Sequence, residues 1–379
     1  MIKRNIYILW GIALLQGMVF YAPVATLYRQ AAGLGIFHIT LIESISLVLM
    51  ICMEVPWGWA ADRIGYKRTM LICCALYFLS KIVFWKADGF SDFLLERLML
   101  SVVCAGLSGV DSSMLYLSCG KADSHRVFSI YQTMGELGML LAAFCYALWI
   151  QENYRRAALL TVLTYGAAAI LALGLQEVSP KEKTKAVGGN LLTVLKLQLR
   201  NKKNLLLLMA VALLGETHQT VTVFLSQLQY IRAGMGHRAI SFSYIAVSVV
   251  GLIGGLSAGV CARLGAKKMG RMLFGIATIS CMILAGTELP LLSVLAVLAL
   301  RAAFALMMPL KATLENKLVT AEDRATALSV NAVMQDGLGI FLNLMLGYVA
   351  EVSLPAAMTM AAGLCLIGVF AYHTSSCFE

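Results

Sequence analysis

The stretch Gly58-Trp-Ala-Ala-Asp62-Arg63-Ile64-Gly65-Tyr66-Lys67-Arg68 places one acid, three bases and two glycines between two long apolar segments. A second version of this basic loop occurs at Ala258–Lys268. Three of its positions match the first at an offset of 265 − 65 = 200, namely Arg263, Gly265 and Lys267. A loop that recurs after about half of a 379-residue chain indicates an internally duplicated membrane protein.

The composition indicates that lipid is the solvent for much of this chain. It is 60% hydrophobic and 13% charged, whereas soluble domains are about 25% charged. The first apolar segment follows Lys3 and Arg4 without a small-residue cleavage site, so we expect a retained spanning helix. The net charge of +10 is spread over short loops, which argues against a nucleic-acid partner. The ten cysteines form no CxxC pair and read as core hydrophobes, and we expect no metal.

Twelve apolar segments approach the roughly 20 residues that a spanning helix needs. We number them in chain order and predict these bounds: 6–27, 39–60, 70–85, 93–117, 127–150, 157–175, 205–225, 240–262, 272–285, 291–310, 327–349 and 355–372. Segments 3 and 9 are short. The sequence therefore predicts an all-α polytopic membrane protein in which residues 1–175 and 205–379 form two six-helix bundles.

The polar linker of residues 176–204 is the one long break between segments. Its part Asn190–Arg200 has the apolar spacing of a helix lying on the inner membrane surface, with bases toward anionic headgroups. We interpret the linker as a tether between the bundles, with a regulatory site as the alternative.

Loop charges predict the orientation of the chain. With the N-terminus inside, the inner loops hold about 21 Lys and Arg residues and the outer loops about 6, among them Arg29. Both termini are therefore expected in the cytoplasm.

The offset of about 200 recurs away from the basic loops. Ser129, Met134, Glu136 and Leu140 of segment 5 correspond to Ser329, Met334, Asp336 and Ile340 of segment 11, and Gly33-Leu34-Gly35 corresponds to Gly234-Met235-Gly236 at 234 − 33 = 201. Two six-helix halves that both start inside must be related by an axis along the membrane normal.

This arrangement, with GxxxDRxGxKR at Gly58–Arg68 after segment 2, resembles the major facilitator superfamily over the whole chain. The resemblance implies a central cavity lined by segments 1, 4, 7 and 10, and rocker-switch alternating access. Glu54-Val55-Pro56 and Ser108-Gly109-Val110-Asp111-Ser112 resemble bacterial drug- and metabolite-efflux members. Segment 5 departs from many drug antiporters, because it carries Gly135-Glu136-Leu137-Gly138 and no proline.

The first basic loop is interpreted as a gate on the cytoplasmic side. Glycine allows close approach and a tight turn, Asp62 suits a helix N-terminus, and the bases suit acids or lipid headgroups. A purely topogenic loop would need only the bases. The expected gate residues are Glu54, Gly58, Asp62, Arg63, Gly65, Lys67, Arg68 and Asp111. The second copy has Ala262 in place of Asp62, so we expect an asymmetric gate, with Glu54 and Asp111 partnering the first loop's arginines.

Charged residues inside the segments are candidates for function, because each costs about 2.5–3.5 kcal/mol at mid-bilayer. Glu216 on segment 7 can load and release a proton in a partly dry cavity, with Arg301 as its conditional partner. A permanent Glu216–Arg301 or Asp336–Arg301 ion pair is the alternative. His218 is expected as a polar wall residue, and Lys81 and Arg97 are expected to snorkel outward.

The remaining candidates are less distinctive. Glu136 and Asp336 correspond across the repeat and serve either as cavity acids or as contacts between helices. Four further residues offer hydrogen bonds or soft contacts to a substrate: Gln16, Tyr21, Gln219 and Met307.

The predicted function is secondary active transport of a small amphipathic drug or metabolite, exported against protons. Proton-coupled metabolite uptake is one alternative, and a non-transporting membrane sensor or scaffold is another. The chain has no GxSxG, HExxH or P-loop, so neither an enzyme nor an ATP-driven pump is expected. We expect no cofactor, a functional monomer, and residence in the cytoplasmic membrane of a bacterium.

Overall fold

A computed structural model describes residues 3–107, 110–119, 124–150, 153–178, 198–318 and 324–375. The first six segments contain these elements: helices Lys3–Gly17 and Ala25–Ala31 with a 3₁₀ turn Ala22–Val24, then Ile36–Ile64, Tyr66–Lys86, Phe90–Leu107, Val110–Cys119, Ser124–Cys145 with a π-turn Tyr146–Ile150, and Tyr154–Ala172. Each of these elements, within the described residues, is an α-helix, a 3₁₀-helix or a π-helix.

The last six segments repeat the pattern. They contain Lys202–Gln219 with a π-turn Thr220–Leu225 and helix Ser226–Arg232, then His237–Gly251 with a 3₁₀ turn Leu252–Leu256 and helix Ser257–Leu264, then Ala266–Gly286, Pro290–Leu318, Arg324–Val352 and Leu354–Thr374. Among the described residues, eleven helical stretches are long and apolar enough to cross a membrane. Phe90–Leu107 of segment 4 is outside this set and carries Asp92, Glu96 and Arg97.

Segments 3 and 9 are longer than predicted. Their helices Tyr66–Lys86 and Ala266–Gly286 each have 21 residues, because the basic residues of the preceding loops form the first helical turns. The prediction of short helices was wrong, since hydropathy alone stops at the charged residues.

Segment 1 was predicted as one helix, and this was wrong, because its helix stops at Gly17. The break frees backbone groups, and side chains of segment 6 satisfy several of them, including the carbonyl of Met18, to which Thr164 donates at 3.3 Å. Tyr165 donates a hydrogen bond to the carbonyl of Gln16 at 2.5 Å, and the N–H of Phe20 donates to the hydroxyl of Thr161 at 3.0 Å. Irregular backbone inside a membrane requires such protein partners. Segment 7 is irregular at nearly the same repeat position, in the π-turn Thr220–Leu225.

The chain divides into two compact units. Unit 1 comprises Met1–Leu34, Ile42–Thr184 and His237–Ile245, and unit 2 comprises Gly35–Leu41, Lys185–Gly236 and Ala246–Glu379. The predicted halves, residues 1–175 and 205–379, stay a prediction. Most of the predicted amphipathic stretch Asn190–Arg200 lies outside the described residues.

Small residues bring helices together in both units. In unit 1, Gly17 and Gly138 lie where a Cβ would collide with backbone, Gly17 against Gly135 and Gly138 against Leu14. In unit 2, the ring of Tyr372 covers Gly270, and its hydroxyl donates to the carbonyl of Ala266 at 3.0 Å. In lipid there is no hydrophobic driving force for helix association, so association depends on close packing. Small residues allow that close packing because they bring little bulk to the interface.

The predicted repeat also appears in the backbone. Gly33 and Gly234 have positive φ angles of 87° and 76°, and each follows the end of a helix. The next N–H closes the same turn in both places, from Leu34 to Arg29 at 3.1 Å and from Met235 to Tyr230 at 2.9 Å. This is the common glycine termination of helices.

Candidate functional site

The turn at Gly65 joins segments 2 and 3 in unit 1. Gly65 has φ 94° and ψ 150°, a conformation that favours glycine. The first turn of the next helix, Tyr66–Lys86, contacts Glu177. The two carboxylate oxygens of Glu177 accept from the backbone N–H of Lys67 at 3.2 and 3.3 Å. A Cβ at Gly65 would lie 2.8 Å from Glu177 Oε2, so the absent side chain makes room for the carboxylate. We call this contact the Gly65–Glu177 turn.

The other predicted gate residues are placed as follows. Glu54, Arg63 and Arg68 are exposed, and Tyr131 donates to the carboxylate of Asp111 at 3.1 Å. The side chains of Gly58 and Asp62 lie outside the described residues, so the role of Asp62 in a gate stays a prediction.

The corresponding turn in the second half has the same backbone and different surroundings. Gly265 has φ 75° and ψ 149°, close to the values at Gly65. Among the described residues, no atom lies within 4 Å of the place that a Cβ of Gly265 would take. The two turns therefore have nearly the same backbone conformation. The first turn has the Glu177 carboxylate beside its glycine, and in the described part of the chain the second has no such group there.

A buried polar cluster lies on segments 7 and 10 of unit 2. Nη1 of Arg301 lies 3.4 Å from Nε2 of His218. A guanidinium can only donate hydrogen bonds, so Nε2 accepts and the imidazole proton is on Nδ1. The ring of His218 stacks on Phe304, with centroids 3.9 Å apart and planes 4° apart. His218 is thus a buried acceptor for Arg301, and its expected role as a polar wall residue of a cavity stays a prediction.

Glu216 lies two residues before His218, and its carboxylate packs against Gly339 of segment 11. A Cβ at Gly339 would be 2.6 Å from Glu216 Oε1. The helix that carries Glu216 ends at Gln219, which is exposed, and the π-turn Thr220–Leu225 follows. π-turns inside helices occur often at functional sites.

An amide on segment 11 connects this π-turn to the start of segment 2. Thr220 donates to Oδ1 of Asn343 at 3.3 Å, and Nδ2 of Asn343 donates to the carbonyl of Thr40 at 3.2 Å. Asn343 is 1% exposed. Sequence reasoning missed this residue, because one asparagine inside an apolar segment gives no indication of which helices it joins.

Unit 1 contains a buried ionic network that the sequence did not predict. Lys81 is 3% exposed and pairs with Glu96 at 3.1 Å, and its ammonium also donates to Tyr21 at 3.0 Å. Arg97 pairs with Glu43 through Nε and Nη2. The expectation that Lys81 and Arg97 snorkel outward was wrong, because carboxylates on neighbouring helices hold both side chains.

Arg29 is also buried, at 7% exposure, although it was counted with the outer loops. The helix Ala25–Ala31 continues past the break in segment 1 and carries Arg29 into unit 1. Its guanidinium lies over the rings of Phe84 and Phe93, 5.8 and 5.9 Å from their centroids.

The remaining predicted residues have separate surroundings. Asp336 is half-buried within electrostatic range of Lys311, which pairs with Glu315 at 3.7 Å. Glu136 is exposed, and Met307 is fully buried. Gln16 donates to the sulfur of Cys74 at 3.6 Å.

The described residues include no group of three His, Cys, Asp or Glu that could hold a metal ion.

Among the described residues, apolar helices long enough to span a membrane occur together with matching glycine turns and buried ionisable groups. The family model described as Major Facilitator Superfamily matches residues 8–344, and the chain belongs to this superfamily. It is therefore a multi-pass membrane protein of a family of small-molecule transporters, which are generally not enzymes. No curated protein sequence matches the chain.

Solved structures share this fold at low sequence identity. A mutant of the nucleoside transporter NupG has a TM-score of 0.85 at 16% identity, covering 98% of this chain and 100% of NupG. A bacterial homolog of the human lysosomal transporter Spinster has a TM-score of 0.78 at 15% identity, covering 99% and 98%. The D-xylose-proton symporter has a TM-score of 0.77 at 14% identity, covering 100% and 98%.

Proposed function

We propose that this protein is a proton-coupled secondary transporter that exports a small amphipathic molecule by alternating access. One observation carries this proposal: next to the irregular turn of segment 7, the Glu216 carboxylate packs against Gly339 and His218 contacts the guanidinium of Arg301. Ionisable groups at such depth are costly and therefore indicate function.

In the proposed cycle, Glu216 takes up and releases the proton. The close packing of its carboxylate against Gly339 makes the fit of segments 7 and 11 depend on its charge and size. His218 contacts the guanidinium of Arg301, and in this cycle Arg301 provides the positive charge that favours the ionised carboxylate. Protonation then weakens that attraction and releases segment 7 for the conformational change.

The other parts of the proposal follow the sequence and the family. The Gly65–Glu177 turn and the Asp62–Arg63 pair act as a gate on the cytoplasmic side. The protein works as a monomer in the cytoplasmic membrane of a bacterium, with both termini inside.

Uptake by proton symport is the second candidate. It is favoured by the likeness to the D-xylose-proton symporter, although at 14% identity this likeness concerns the fold. The same ionisable cluster would serve uptake, with proton and solute moving together.

The test uses purified full-length protein in lipid vesicles with an imposed pH gradient and a panel of labelled amphipathic solutes. We expect gradient-driven flux in wild type and uncoupled or lost flux in Glu216→Gln. Glu288→Gln is the matched control, because Glu288 is 67% exposed and paired with Arg232 at the end of segment 7.

Solute moving opposite to protons supports export, and solute moving with them supports symport. Gradient-driven flux unchanged in Glu216→Gln would disprove the role of Glu216, and absence of flux for every solute would favour a sensor or scaffold.

A further inference from the structure

The buried ionic network of unit 1 has more positive than negative groups. Its charged members are Arg29, Glu43, Lys81, Glu96 and Arg97, on segments 1 to 4. Three cations and two carboxylates give a formal charge of 3 − 2 = +1. Besides Glu96, Lys81 is surrounded by the rings of Tyr21, Tyr77 and Tyr165, which bring no further carboxylate to the network. A buried charge without a counter-charge is costly, so this surplus requires an explanation.

The surplus belongs to Arg29. Lys81 is paired with Glu96, and Arg97 is paired with Glu43. Arg29 forms no such pair among the described residues, and its Nε is buried without a hydrogen-bond partner. The rings of Phe84 and Phe93 face the guanidinium, but aromatic faces leave the in-plane N–H donors unsatisfied.

An opening lies close to this arginine. A cavity of about 650 Å³ is lined by the adjacent Tyr28, by Ala31 and Ala32 at the end of the same helix, by Tyr154, and by the ion pair of Asp88 with Arg155. The ring of Tyr28 packs on Phe84 and Phe93, with centroid distances of 5.1 and 5.8 Å. These two phenylalanines therefore contact both the cavity wall and the guanidinium.

We propose that Arg29 is the centre of a binding site for a small monovalent anionic group, either a free anion or the carboxylate of a solute. The group enters from the cavity and accepts hydrogen bonds from the guanidinium, after rotation of the Tyr28, Phe84 or Phe93 side chains. A planar guanidinium matches a carboxylate through two parallel hydrogen bonds. Binding brings the network to electrical neutrality. This site is separate from the Glu216 cluster and does not depend on the proposed transport function.

The duplicated half offers an internal comparison. At the local offset of 201 that relates Leu34 to Met235, the position matching Arg29 is Tyr230, and Gln229 precedes it. Gln229 is fully buried, and its amide donates to the carbonyl of Thr287 at 2.7 Å and to Ser293 Oγ at 3.1 Å. Both Tyr230 and Gln229 are buried and neutral where unit 1 has Arg29, so Arg29→Gln, which removes the charge and keeps an N–H donor, is the test substitution.

The experiment measures the thermal midpoint Tm of the purified full-length protein in detergent. Sodium acetate and sodium chloride are titrated separately, with the sodium salt of HEPES, a bulky sulfonate without a carboxylate, holding the ionic strength. We expect a saturable rise of Tm in wild type with at least one of the two anions. Acetate alone indicates a carboxylate-bearing solute, and a response to chloride indicates a free anion. Both results support the site, and no saturable rise with either anion overturns it.

Variants then assign the effect to Arg29. Arg29→Gln is expected to shift the midpoint of the anion titration at least about tenfold upward or to abolish saturation, which corresponds to about 1.4 kcal/mol or more. Arg232→Gln is the control, because Arg232 lies near the end of segment 7 and is already paired with Glu288 at 3.0 Å. An unchanged midpoint in Arg29→Gln overturns the proposal. Should that variant fail to fold, Glu96→Gln provides a test of opposite sign, because it raises the surplus to two charges and should lower the midpoint.

Discussion

The backbone N–H of Lys67 points at the carboxylate of Glu177, with nitrogen–oxygen distances of 3.2 and 3.3 Å across 110 residues of sequence. Lys67 is the second residue of helix Tyr66–Lys86, so its N–H has no partner within the helix. The carboxylate supplies that partner and places a negative charge at the positive end of the helix. The residues after segment 6 are thereby fixed to the start of segment 3.

The first prediction concerns the charge of Glu177. Glu177→Gln keeps an acceptor for Lys67 but removes the charge from the helix end, so we expect a loss of about 0.5–1 kcal/mol. Glu177→Ala should cost more, because it also removes the acceptor. Thermal unfolding in detergent at low salt measures both, and Gln176→Ala is the control at the neighbouring exposed position. Equal stability of Glu177→Ala and wild type would show that the contact has no role in stability.

The second prediction compares the two repeated turns. Gly65→Ala and Gly265→Ala both force alanine into a region of positive φ and extended ψ that is almost exclusive to glycine, at a cost of about 1–3 kcal/mol. Only Gly65→Ala also pushes a Cβ to within 2.8 Å of a carboxylate oxygen of Glu177, so it should cost more. In a Glu177→Ala background the difference should disappear. A difference that persists without Glu177 would assign it to another neighbour.

The turns and the repeat were predictable from the sequence, whereas the ionic network was not. Gly65 and Gly265 occupy matching positions in basic loops. A glycine between two helices indicates a tight turn, and in both places this turn uses a positive φ angle. Lys81 and Arg97 were expected to snorkel because hydropathy describes the depth of each residue and not its lateral neighbours. Glu96 and Glu43 become their partners only when segments 2, 3 and 4 pack with particular faces together.

The broken segment 1 shows the same limit. Residues 6–27 are mostly apolar, and their hydropathy does not mark Gly17 as the last residue of a helix. The break is stabilised by Thr161 and Tyr165, which lie more than 140 residues later in the chain. A single hydroxyl that satisfies a distant backbone group leaves no periodic signal in the sequence.

The third prediction concerns the glycines that bring segments 1 and 5 together. Gly138 lies against the carbonyl of Leu14, in space that a Cβ cannot share. Gly138→Val should therefore separate the helices and lower stability by about 3 kcal/mol or more, or prevent folding. Gly363→Val on segment 12 is the control, because no described atom lies within 4 Å of its Cβ position. Recovery of folded protein after detergent extraction and its Tm measure the difference. Comparable Tm values for the two variants would contradict the close approach.

The last prediction separates the two contacts of His218. His218→Phe keeps an aromatic ring to stack on Phe304 but removes the nitrogen that accepts from Arg301. His218→Gln keeps an acceptor oxygen and loses the ring, at a cost of about 0.5–1.5 kcal/mol of stability. If orientation of the guanidinium is what matters for coupling, the more stable Phe variant should transport less than the Gln variant. Proton-driven flux in vesicles, normalised to folded protein, gives the comparison. The reverse order of activity would show that ring stacking, rather than the hydrogen bond to Arg301, is the contribution of His218 to transport.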